Sequence, residues 1–168
     1  MQLPITNTGG SLLSAVSARS TLATKLASHY LMANPVTPTD RELQLLNDYI
    51  DSEYKAINAI VRYTALDIEL PEVIEIWRKT KVLTISIAHI EHPFLTAQMN
   101  ARFRAVHDWH HIRSGADASL SGEIEAYKWA RMTAPHEIWW LLHSEIVLQA
   151  AACIATGEFQ PQKLVRLF

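Results

Sequence analysis

"IWWLLHSEIVLQAAACIA", residues 138–155, is the most apolar stretch of the chain, and whether it crosses a membrane or fills a core decides the fold. Its length approaches that of a membrane span, but His143, Glu145 and Gln149 lie inside it, and each is costly in hydrocarbon. A buried helix accounts for it better. Pro135 suits the first turn of that helix and Gly157 suits its end.

Working outward from it, the remaining punctuation is also helical. "NPVTP" ends a first helix over 12–33, because proline cannot continue the backbone ladder. Thr39 and Glu42 form a capping box. Behind them "DRELQLLNDYIDSEYKAINAIVRYTA" (40–65) carries Leu43, Leu46, Tyr49, Ile50, Ile57, Ile60 and Val61 at helical spacing. Pro71 opens a short helix over 71–80, Thr96 caps one over 97–112, and "RSGADASLS" breaks the chain before Ser121 caps a helix over 122–133. Only "KVLTISIAHI" (81–90) alternates, with Leu83, Ile85 and Ile87 on one side, which is strand chemistry. Its partner would be "LPIT" near the start of the chain or another subunit. The expected fold is mainly α: a single-domain helical bundle over 1–168, of about five to six helices, with one short strand or hairpin around 82–90.

Composition narrows the function. A chain of 168 residues that is 49% hydrophobic and 19% charged can fill a core without disulfides. The formal charge of −2, with Lys and Arg scattered, gives no basic stripe for a phosphate backbone, so no nucleic acid partner is expected. Cys153 is the only cysteine, which removes an internal disulfide and any Cys-only zinc cage and suits the cytoplasm. The first residues, "MQLPITNTGGSLL", lack the basic and apolar regions of a secretion signal. Trp139 and Trp140 are adjacent on one helix and point to different sides, so one of them can face a partner subunit in a homo-oligomer.

Chemistry concentrates in "VHDWHHIRSGADASLSGE" (106–123). On a helix Arg104, His107, Asp108 and His111 fall within an arc of about 100°. Imidazoles at i and i+4 converge on a point off the helix and can grip one ion. Alone, such a pair is more often two boundary histidines than a metal site. Glu145 changes the balance, since a carboxylate embedded in the most apolar helix needs a cation, either a metal or an arginine such as Arg104 or Arg131. Glu123, at the start of its helix, either favours the helix dipole or completes the set. His107, His111, Glu123 and Glu145 together make a mixed nitrogen and oxygen site suited to zinc, manganese or iron, with Gln149 behind it orienting a ligand. Asp108 or Glu123 would act as base, and Arg104 would receive an anionic substrate. His89, His92, His110, His136 and His143 fit packing or surface roles, and His92 is the one whose turn can fold back toward the site.

Several templates fail. "HEIWW" at 136 lacks the second histidine of a zinc protease, no ExxH occurs, and there is neither a Walker loop nor a GxGxxG. Residues 107–111 resemble the H-D-x-x-H core of HD-type metal-dependent phosphohydrolases, which are all-helical. That resemblance implies His107 and Asp108 as ligands. The family's earlier histidine would have to be His89 or His92, and Asp117 is the only aspartate after Asp108, so its later aspartate has no counterpart. "FRAVHDWHH", "SGEIEAY", "HSEIVLQ" and "ATGEF", spanning 103–159, are similar to small uncharacterised helical proteins of bacteriophages and bacteria, which implies one site but no activity. The function expected is a metal-dependent hydrolase acting on a small-molecule phosphate or carboxylate ester. The alternative is a non-enzymatic protein in which any metal only ties helices together.

Overall fold

Thr39 does at the start of α2 (Asp40–Ile57) what a capping box requires. Its hydroxyl accepts from the Glu42 amide at 3.2 Å, while Glu42 Oε2 accepts from the Thr39 amide at 2.8 Å. Before it runs α1 (Gly9–Met32). The computed structural model describes residues 9–167, with side chains from residue 21, and the chain there is mainly α. The suggested partner strand "LPIT" lies outside the described residues.

The second helix is shorter than its periodicity predicts. It ends at Ile57, and after a 3-10 turn Val61–Thr64 forms β1, which pairs in parallel with β2 (Leu83–Ser86). The stretch Val61, Tyr63, Thr64 is β-branched and aromatic, and a real partner outweighs helical spacing. The connection is α3 (Leu70–Thr80), so the unit is strand, helix, parallel strand, and not a hairpin. Val61 stands opposite Leu83 and Tyr63 opposite Ile85.

α4 (Ala97–Ser114) lies between two apolar clusters. Val61, Val73, Leu83 and Ile85 pack with Ala105 and Val106 on one side. Leu46, Tyr49 and Ile50 pack with Ile138, Leu141 and Leu142 on the other, where Met99 and Phe103 join them. α5 (Leu120–Thr133) comes next, capped by Ser119 rather than Ser121. His136–Thr156, the one segment among the described residues long and apolar enough to cross a membrane, supplies the centre of the larger cluster.

That last segment is not one regular helix. It passes from α6 (Trp139–His143) through a π-helical turn (Ser144–Leu148) into α7 (Gln149–Thr156). Inside the turn the Ser144 hydroxyl accepts from the Val165 amide at 2.9 Å, tying residues 161–167 back across the core. The additional residue of a π turn rotates the later part of the helix by about 100° relative to a regular wheel.

Candidate metal centre

α4 is anchored at both ends. His92 Nδ1 accepts from the amides of Phe94 and Leu95, both at 3.1 Å, and the Thr96 hydroxyl accepts from Met99 at 3.2 Å. Gly115, at φ 71°, closes the helix by donating to the His111 carbonyl. Arg104 fixes the middle: its guanidinium donates to the carbonyls of Ser86 (3.1 Å), Ala88 (2.8 Å) and His89 (2.9 Å). This speaks against the anion-receiving role expected for Arg104, because three of its five N–H donors hold α4 against the chain after β2.

α5 presents Glu123 to α4. Asp117 accepts from the Ser119 amide at 3.1 Å, and the Ser119 hydroxyl accepts from the Gly122 amide at 3.2 Å. Gly122 sits so tightly on this turn that a Cβ there would meet the Asp117 carbonyl oxygen at 1.8 Å. The next residue is Glu123, only 9% exposed.

His107, His111 and Glu123 come together. Glu123 Oε2 lies 3.3 Å from Nε2 of His107 and 3.3 Å from Nε2 of His111, and one ligand atom from each residue falls within 4.8 Å of the others. The two rings are edge to face at 4.7 Å, and Phe103 stacks on His107. The separations are informative. Charge-assisted N–H···O bonds run at about 2.7–2.9 Å. A tetrahedron with bonds of about 2.0–2.1 Å has edges of about 3.3–3.4 Å. Nδ1 of both histidines is buried without a hydrogen-bond partner, so neither ring is held by a second protein group among the described residues.

The electrostatics arise from burial and proximity. Burial opposes ionisation of Glu123, but the two imidazoles override it and bring the carboxyl down to about 2. Burial also works against the His107 cation, and the Glu123 carboxylate, helped by Asp108, outweighs it and raises the pKa. Asp108 stands beside the pair rather than in it. Burial, reinforced by Glu123, pushes Asp108 up to about 6 against the pull of His107, His111 and Arg104.

Because this acid titrates higher when folded, its charge costs stability above about pH 6 and the cost fades as pH falls toward about 4. Asp108→Asn is accordingly expected to stabilise the metal-free protein by up to about 3 kcal/mol at about pH 8 and to be neutral near about pH 4. Urea unfolding at the two pH values checks this.

Glu145, expected in the same site, is elsewhere. Its Oε2 lies 3.4 Å from His92 Nε2 and accepts from Gln162 Nε2 at 2.8 Å. The prediction that it joins His107 and His111 is corrected: it belongs to a separate buried pair. A helical wheel marks Glu145 as buried but cannot say which segment faces it, and here that is the His92 turn and Gln162 rather than α4's histidines. Gln149 is buried with an unpartnered Nε2, so it does not orient a ligand of the triad. Neither Arg104 nor Arg131 meets Glu145. His92 and Gln162 do, and of these only the His92-Pro93 turn carries a sequence signal. Because His92 Nδ1 accepts two amide hydrogens, a neutral ring carries its proton on Nε2, which lies 3.4 Å from the Glu145 carboxylate without a hydrogen bond to the described residues.

A cavity of about 230 Å³ lies beside His111, the one member of the triad among its lining residues, with Ile74, Trp77, Arg78, Ile112 and the Gly115–Asp117 turn as its other walls. Arg78 is exposed there and forms no ion pair among the described residues. Compared with known protein families, characterised proteins and solved structures, the chain matches none.

Proposed function

We propose that His107, His111 and Glu123 hold a divalent metal, zinc, manganese or iron, and that the protein is a metal-dependent hydrolase of a small anionic ester. The observation that carries this is the pair of 3.3 Å separations between one carboxylate oxygen and two imidazole nitrogens, long for hydrogen bonds and right for ligands of one ion. The donor set, two nitrogens and an oxygen, suits these metals and leaves coordination positions open. Such an ion would supply Lewis acidity and acidify water that it holds.

The chain's own residues fit the rest of the task. Asp108, raised toward neutrality beside the pair, can accept and return a proton. Trp77, Ile74 and Ile112 offer an apolar wall for the body of a substrate, and Arg78 at the rim offers a free guanidinium for a phosphate or carboxylate. Cys153, unpaired, is compatible with the cytoplasm, where this reading places the protein.

A second reading rests on His111 being fully buried and Glu123 nearly so: the metal would join α4 to α5 and do no chemistry. Assaying the metal-loaded protein with aryl phosphates and aryl carboxylate esters separates the two. The hydrolase reading expects turnover that is lost on chelation and falls at least about a hundredfold in Asp108→Asn. Full metal occupancy without turnover of either ester class would leave the metal as a staple.

A further inference from the structure

Trp139 and Trp140 each carry an arginine on one face. The Arg131 guanidinium lies 3.9 Å from the Trp139 ring centre, and that of Arg166 lies 4.0 Å from the Trp140 ring centre. Stacking uses the flat face of a guanidinium and leaves its in-plane N–H donors available. At Arg166 they are taken: Nη2 donates to Glu42 Oε1 at 2.7 Å, and the same oxygen accepts from Trp140 Nε1 at 2.8 Å. Arg131 is built the same way, with the Tyr127 ring as a second neighbour, but it meets no carboxylate and no hydrogen-bond acceptor among the described residues.

In front of Arg131 lies a cavity of about 380 Å³, lined by Tyr127, Arg131, Trp140, His143 and Leu167. Among the described residues no acidic side chain lines it. The His143 ring is edge-on to Tyr127 at 5.1 Å and makes no hydrogen bond to the described residues. The Tyr127 hydroxyl is already used, donating to the Trp139 carbonyl at 3.1 Å. Two nitrogenous side chains thus face one space between aromatic walls, and among the described residues no oxygen acceptor completes Arg131 as Glu42 completes Arg166.

We propose that this cavity is a binding site for a small oxyanion, a carboxylate or phosphate carried on a flat apolar body. Arg131 grips the oxygens in its plane, His143 donates to them, and the Tyr127 and Trp140 rings flank the body. The site is separate from the metal centre and does not depend on it. Tyr127 and Arg131 of α5 and His29 of α1 are the titratable and charged groups around His143. Burial first, then Arg131 and His29, hold its pKa below the ordinary value. An arriving anion reverses that field, so the ligand brings a proton with it.

Calorimetric titration of the full chain with benzoate, phenyl phosphate and inorganic phosphate tests the proposal. One saturable site is expected for benzoate or phenyl phosphate, and whichever binds tighter identifies the headgroup. Inorganic phosphate, lacking the ring, should bind more weakly. Arg131→Gln should weaken the tighter probe by about 10- to 100-fold, the loss of a charge-assisted pair. Arg131 is exposed, so this variant should fold as the parent does. Arg113→Gln, which removes another ring-stacked arginine outside this cavity, should bind as the parent does. Affinity should also rise as pH falls from about 8 to about 6, and His143→Gln should abolish that rise. Absence of saturable binding for all three probes at millimolar concentration, or equal binding by Arg131→Gln, overturns the proposal. Binding that is independent of pH removes His143 from it.

Discussion

Glu123→Gln is expected to abolish the metal-dependent rise in unfolding temperature while leaving the fold in place. In the parent protein, zinc at about a hundred times its dissociation constant should add about 2.7 kcal/mol, which for a chain of this length raises Tm by about 5–10 °C. The variant keeps both imidazoles but replaces a charged ligand by a neutral amide. Its affinity should fall more than about 100-fold, beyond the range typical of residues that only support a ligand. It should also lower the stability of the metal-free protein.

The sign of that second effect depends on pH. The Glu123 carboxyl titrates near 2 when folded against an ordinary 4.5, so its contribution is present above about pH 4.5 and is lost as pH falls toward 2. His107, raised by the same contact, contributes fully below about pH 6.5 and loses its share as pH rises through its higher folded value. Metal binding runs the other way, since protons leave the imidazoles, and should tighten toward alkaline pH. Thermal unfolding with and without zinc, at several pH values, measures all three effects. An equal zinc-induced shift in parent and variant would mean that the ion sits elsewhere.

The second large effect concerns Gly122. Glycine inside a helix normally gains up to about 1 kcal/mol when replaced by alanine. Here the sign should invert. A Cβ at this position would lie 1.8 Å from the Asp117 carbonyl oxygen and 2.8 Å from its carbon, and both atoms are backbone in a turn braced by Ser119. Nothing soft can yield, so Gly122→Ala should cost about 3 kcal/mol or more, at the upper end of overpacking. Relief requires the start of α5 to lift, which carries Glu123 away from the two histidines. Zinc affinity should therefore fall although all three ligands remain. Urea unfolding and zinc titration of the same variant check both consequences, and a Gly122→Ala protein as stable as the parent would refute the contact.

The fold is legible at most places where the chain marks its own boundaries, although the cap read at Ser121 falls on Ser119. Thr39 with Glu42, Thr96, Pro71 and Gly157 are local signals, and the structure uses each of them. The signals fail where a partner distant in sequence decides. Val61–Thr64 continues a helical pattern and becomes a strand because Leu83–Ser86 lies alongside, across a helical crossover. In the site, His107 and His111 come from spacing on one helix, and Glu123 from the G-E step after a break. A helical wheel marks Glu145 as buried but does not name what faces it, and the His92 that meets it comes from a turn far upstream. Arg104 illustrates the reverse error: its position on the right face suggests a role in binding, whereas three backbone carbonyls occupy it.

Anomalous diffraction from crystals of the zinc-loaded protein, recorded on both sides of the zinc edge, addresses the central claim most directly. The account predicts one peak bonded to Nε2 of His107, Nε2 of His111 and a carboxylate oxygen of Glu123, at about 2.0–2.2 Å from each. A peak away from these three side chains, or none in the loaded protein with the Glu123 oxygen still bridging both rings, would contradict it.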